Sequence, residues 1–110
     1  MTGRWYGLLV DRRVDESVFF TRELDGGELA LCVFEPPEKG ESFITFSGLR
    51  PKWRVRAYPA QRLMPVVERA ATDGPEYVTI NPPGGRRSFA EPGQTMPVED
   101  FLELLRERRG

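Results

Sequence analysis

Arg50, Lys52, Arg54 and Arg56 alternate with Pro51, Trp53 and Val55, a spacing of two that invites a chemical reading. On a strand, that spacing places all four cations on one face, about 7 Å apart from one to the next. The interval approximates the phosphate spacing of a single nucleic-acid strand, so anion or nucleic-acid binding is the chemistry such a stripe offers. Trp53 points to the opposite face and supplies no stacking platform between the cations. The plainer reading is an edge strand whose charged face blocks unwanted pairing, or one balanced by acidic side chains across the sheet. We prefer the plainer reading.

A second candidate is the loop Asn81-Pro82-Pro83-Gly84-Gly85-Arg86-Arg87. Its glycine amides and the guanidinium groups of Arg86 and Arg87 suit an anion. It lacks the phosphate-loop pattern, and no helix follows the glycines directly. A turn in which Asn81 ends a strand and Gly84-Gly85 supply positive φ is the preferred account. Carboxylates occur in groups, Asp11/Asp15/Glu16, Glu35/Glu38 and Glu99/Asp100/Glu103, but on loops or on the outer face of a helix. Paired acid–base work needs a shared site that pushes two pKa values apart. Ser17, Ser42, Ser47 and Ser88 have no histidine to activate them, because the chain contains none. The single cysteine, Cys32, excludes an internal disulfide and every multi-cysteine metal pattern. It lies in the most apolar run, where a thiol packs rather than reacts. The sequence thus offers no catalytic residue, no metal ligand set and no cofactor site, and predicts a protein that is not an enzyme.

The balance of 16 basic and 17 acidic residues, net charge -1, shows no overall bias toward polyanions. All the basic residues but Lys39 and Lys52 are arginine, which a GC-rich genome explains more simply than selection for bidentate contacts. A length of 110 residues fits one domain, residues 1–110. Seven Phe, two Trp and three Tyr supply large side chains for a modest core. Mean hydropathy of -0.46 describes a soluble chain. The longest apolar run, residues 29–34, falls far short of a membrane span, and the start of the chain lacks a signal-peptide core. Cytoplasmic location and no membrane contact are the expectation.

The elements that would position these residues follow from periodicity. Strands are predicted over residues 5–10, 17–22 and 29–34, the last two joined as a hairpin through Asp25-Gly26-Gly27. The unbroken apolar character of residues 29–34 predicts a central strand covered on both faces. Residues 35–40, with Pro36 and Pro37, read as a surface loop, residues 41–46 as a strand, and residues 52–57 as the alternating strand that carries the cations. A helix with Leu63, Val66, Val67 and Ala70 on one face follows, its regular part beginning near Pro65 and closing at Asp73-Gly74-Pro75. Residues 77–80 form a strand. The last helix opens at Pro97, with Glu99 and Asp100 at its positive end and Val98, Phe101, Leu102 and Leu105 as its apolar stripe. The result is an α+β fold: a single mixed or antiparallel sheet of five to six strands with two helices packed on one face. Leu31, Val33, Trp53, Val55, Val78, Ile80, Phe101, Leu102 and Leu105 are the expected core.

Leu63-Met64-Pro65-Val66-Val67, Tyr77-Val78-Thr79-Ile80-Asn81-Pro82 and Met96-Pro97-Val98-Glu99-Asp100-Phe101 together resemble the SseB-like protein N-terminal domain family. The apolar run Leu29-Ala30-Leu31-Cys32-Val33-Phe34 falls where that family has a strand ending in Phe. The resemblance covers residues 28–105. It departs where the family's Phe-Thr-Ser is replaced by Phe34-Glu35-Pro36, and the N-terminal third does not match. The family has no defined catalytic site and takes its name from bacterial secretion contexts. What the resemblance implies is an accessory, secretion-associated or immunity-like role in a bacterium.

The expected function is therefore a non-enzymatic protein–protein interaction module whose partner is another protein or a second copy of the chain. Edge strands can recruit either by adding a strand to the sheet. Arg86, Arg87 and the Pro36-Pro37 loop are the contact candidates. Anion or nucleic-acid binding through Arg50, Lys52, Arg54 and Arg56 is the alternative, although nucleic acid is not the expected partner. An enzyme of a class needing neither histidine nor metal is a third, weaker alternative.

Overall fold

The computed structural model describes residues 4–11, 18–50, 52–82 and 94–108. A continuous apolar run forms β1 (Trp5–Asp11), and a short β2 (Thr21–Glu23) turns through Asp25-Gly26-Gly27 into β3 (Leu29–Val33). Gly27 takes φ 93°, which the turn requires and a side chain resists. The order continues α1 (Glu38–Ser47), β4 (Trp53–Pro59), α2 (Ala60–Ala71), β5 (Tyr77–Ile80), β6 (Gln94–Pro97) and α3 (Val98–Arg108).

The fold is α+β, with two sheets and three helices among the described residues. β1 and β4 pair antiparallel over the whole of both strands. The second sheet has the order β2-β3-β5-β6, with β3 and β5 parallel and the other pairs antiparallel. Among the described residues, isolated bridges, Gly7 to Phe34 and Val10 to Phe19, tie β1 to the second sheet. The expected single sheet is therefore divided, because β1 meets its neighbour at separate points rather than along a ladder.

β3 is buried on both faces, and its side chains feed two cores. Leu31 and Val33 join Tyr6, Leu8, Val78, Ile80, Leu63, Val67, Phe101 and Leu105 under α2 and α3. Cys32 and Phe34 join Leu9, Phe43 and Ile44 under α1. Period two in the strands thus sends successive residues to opposite layers. Tyr6 meets Phe101 edge-on at 6.3 Å in the first core. In the second, Phe20 meets Phe43 and Trp53 at 5.7 and 5.2 Å.

Two segments depart from the sequence reading. Residues 41–46 are the middle of α1 rather than a strand. Gly40, Phe43 and Ile44 form its buried face at helical spacing, whereas Phe46 is 76% exposed. Pro37 caps the helix, Glu38 and Glu41 sit in its first turn, and Gly48 ends it at φ 66° with its N–H on the Ile44 and Thr45 carbonyls. α1 covers the sheet face opposite α2 and α3, so the helices are not confined to one side. α2 begins at Ala60, directly from β4, and carries Pro65 inside it. β6 is a further strand that the sequence reading does not contain. Of the expected core, Trp53 and Val55 are only half-buried, because β4 lies at the outside of its sheet, and Leu102 is half-buried on α3.

Candidate functional site

Backbone hydrogen bonding defines the most accessible part of the fold. Gly7 exchanges both its bonds with Phe34, at 2.7 and 2.9 Å. The Leu9 carbonyl accepts from the Phe20 N–H at 3.0 Å, and the Asp11 N–H donates to the Val18 carbonyl at 3.3 Å. The odd-numbered residues of β1 thus address the neighbouring sheet. Antiparallel alternation leaves Tyr6, Leu8 and Val10 to bond β4, where their register partners are Tyr58, Arg56 and Arg54. Trp53, Val55, Ala57 and Pro59 consequently direct their backbone groups away from β1. The Trp53 N–H donates to the Leu49 carbonyl at 3.3 Å, and Pro59 has none to offer. The N–H and C=O groups of Val55 and Ala57 face outward, and no strand among the described residues pairs with them.

An open groove of about 660 Å³ runs beside this edge, lined by Trp5, Arg56, Tyr58, Arg62, Pro65 and Val66 among others. Trp5 is 51% exposed. The Arg56 guanidinium lies 5.7 Å from the centre of the Tyr58 ring. Partial burial raises the Tyr58 pKa, and the Arg56 and Arg54 charges oppose that shift. Pro65 lacks the N–H that would otherwise reach the Gln61 carbonyl, one turn back and also in the lining. Among the described residues, no carboxylate lines the groove. A smaller hollow of about 250 Å³ lies between the β2–β3 region and the end of α2, lined by Phe19, Leu29, Ala70 and Asp73 among others.

The basic stripe is not one line of four. Arg50 and Lys52 precede β4, which starts at Trp53. Arg50 bonds Glu41 on α1 at 3.2 Å. The Lys52 ammonium lies 3.8 Å from the buried Asp11 and 5.3 Å from the centre of the Trp53 ring, so it turns toward the α1 side. Arg54 and Arg56 alternate on the opposite face of β4, each engaged in a further interaction within the protein, and Arg56 lines the groove. The expected stripe fails because β4 begins only at Trp53 and runs on to Pro59, which leaves Arg50 and Lys52 outside the strand.

Asn81 serves the fold. At φ 54° its amide grips the backbone of Glu35: Oδ1 accepts from the Glu35 N–H at 2.9 Å, and Nδ2 donates to the Glu35 carbonyl at 3.1 Å. The Glu35-Pro36 peptide is cis. Pro36 is exposed, whereas Pro37 is half-buried and starts α1 rather than standing in a loop. Arg86 and Arg87 lie outside the described residues. Cys32 is fully buried, and burial pushes its thiol up to about 12 against a weaker downward pull from Arg22. No group of three or more acidic, cysteine or histidine side chains suited to a metal occurs among the described residues, and no described helix is long and apolar enough to cross a membrane.

Sequence reasoning missed Trp5, Arg62, Tyr58 and the outward groups of Val55 and Ala57. Trp5 opens the first strand and Tyr58-Pro59 ends the fourth, but their juxtaposition needs the β1–β4 register. No family model matches the chain, and no curated protein matches it.

Proposed function

We propose that this protein is a non-enzymatic protein–protein interaction module that recruits its partner by adding a strand at the outer edge of β4. The observation that carries this reading is the outward N–H and C=O of Val55 and Ala57, in the middle of a seven-residue strand that has one neighbour among the described residues. An edge of that length ordinarily calls for protection, and its proline stands only at the end. Main-chain hydrogen bonds along such an edge supply affinity for an extended segment of another protein or of a second copy. The SseB-like resemblance adds the expectation of an accessory, secretion-associated or immunity-like role in the bacterial cytoplasm. Exposed Pro36 is a secondary contact candidate. The alternative, anion or nucleic-acid binding along Arg50–Arg56, is weakened by the diversion of Arg50 and Lys52 to Glu41 and Asp11.

Ala57→Pro provides the test. It deletes an outward N–H while leaving the bonds to β1 in place, so the fold should survive with an unchanged circular dichroism spectrum. Affinity capture from the native host, with wild type and Ala57→Pro side by side, should yield a defined protein that the variant loses. Equal capture by the two proteins, or no capture together with turnover of a small molecule, contradicts the proposal.

A further inference from the structure

The two faces of β4 differ in character. Trp53, Val55, Ala57 and Pro59 form a wholly apolar row on the side of α1, whereas Arg54, Arg56 and Tyr58 alternate with them on the side of α2. A strand that adds at this edge must bring an apolar face to the first side and a partner for Arg56 to the second. β4 itself meets both requirements. We infer that two copies of the chain join β4 to β4, antiparallel about a twofold axis at Ala57, so that each is the other's added strand. This inference rests on the interaction-module reading and names the partner as a second copy.

Register decides the fit. With the axis at Ala57, the two Ala57 residues exchange both backbone bonds, and each Val55 N–H donates to the second copy's Pro59 carbonyl. Pro59, with no N–H, closes the ladder there. On the apolar face, Ala57 meets Ala57 and Val55 meets Pro59. On the other, Arg56 stands directly opposite the second copy's Tyr58, a ring that already attracts the guanidinium of its own chain at 5.7 Å. Arg54 stands opposite Ala60. An axis at Arg56 would instead oppose the two Arg56 side chains, and an axis at Val55 would oppose Arg54 to Arg56, where like charges repel. The pairing needs no free cation, since Arg54 and Arg56 are both engaged within their own chain. Ala57 at the axis is small and exposed, and the groove beside the edge leaves about 660 Å³ for the side chains of the added strand. β4 is also already ordered by β1, so a second copy escapes the cost of straightening a flexible segment on binding.

The test follows the full chain by sedimentation velocity from about 10 μM to about 1 mM, with thiol cross-linking beside it. The wild type should move toward twice the monomer mass as concentration rises, and Ala57→Pro should weaken that association at least about tenfold. Ala57→Cys places two thiols on residues whose Cα atoms lie about 5.5 Å apart, within disulfide range, whereas the Cα atoms of a Val55→Cys pair lie about 13 Å apart along the strands. Under mild oxidation Ala57→Cys should therefore form a covalent dimer much faster than Val55→Cys or Arg56→Cys, and the buried Cys32 does not compete. Circular dichroism checks that each variant is folded. A monomer at every concentration, equal association of wild type and Ala57→Pro, or faster cross-linking at Val55→Cys or Arg56→Cys overturns the inference. If the wild type stays monomeric while Ala57→Pro loses a captured host protein of different sequence, the module reading stands and the second-copy inference falls. If the wild type neither self-associates nor captures anything, both fall.

Discussion

Asn81 unites a backbone need with a side-chain one. Its φ of 54° lies in the left-handed region, which Asn tolerates better than most residues, and its amide closes two bonds on Glu35. Asn81→Gly keeps the first property and removes the second. It should cost about 1–3 kcal/mol in urea unfolding, the usual penalty for leaving part-buried backbone groups without partners. The sequence does mark Asn81 as a strand end with special backbone geometry. It does not reveal the hydrogen bonds to a residue 46 positions earlier, because only the parallel β3–β5 register brings the two together. Cys32 yields a second expectation. Its thiol ionises near 9 when exposed and near 12 in the fold, so the unfolded chain releases the proton first as pH rises. The contribution to stability is intact below about 9 and declines between 9 and 12. Urea titrations at pH 8 and pH 10.5 should show the lower midpoint at the higher pH. Cys32→Ser, with no comparable ionisation, should reduce that difference.

At the scale of elements, α1 rests on glycine. A Cβ built at Gly40 would stand 3.0 Å from Val55 Cγ1's partner methyl, Cγ2, and 3.4 Å from Leu9 and Phe34 atoms. Gly40→Val should force the helix off the sheet and cost about 1–3 kcal/mol, as overpacking does. Gly48→Ala meets no atom within 4 Å, yet must adopt φ 66°. Its cost, about 1 kcal/mol, should therefore reflect backbone strain alone. Comparing the two variants by thermal unfolding separates packing from conformation. The same helix shows where sequence reading stops. Phe43, Ile44 and Phe46 among Ser and Thr carry strand-forming composition, while the helix signals lie at its ends, in Pro36-Pro37, Glu38, Glu41 and Gly48. Composition in the middle outweighed punctuation at the ends. α3 was legible from its apolar stripe, although it begins at Val98, one residue after the expected Pro97, which ends β6, and in β3 the continuous apolar run was legible as a strand buried on both faces.

Across the whole molecule, one β-layer separates two cores of unequal size. Leu105→Ala under α3 and Ile44→Ala under α1 should each cost about 2–5 kcal/mol in urea unfolding. A negligible cost for Ile44→Ala would mean that α1 does not cover its face. The same architecture makes β4 the outer strand, held by β1 on one side and paired with no strand among the described residues on the other. That openness was only partly legible: alternation revealed the strand and its cations, but not which backbone groups point outward, since that depends on the bonds β1 makes elsewhere. Residue-resolved amide hydrogen exchange tests the central claim most directly, on the free protein and then on its complex with the captured partner. The account predicts protection at Arg54, Arg56 and Tyr58 in both states, with Val55 and Ala57 exchanging rapidly when free and slowly when bound. Protection of Val55 and Ala57 in the dilute free protein, or unchanged rapid exchange there in the complex, would contradict it.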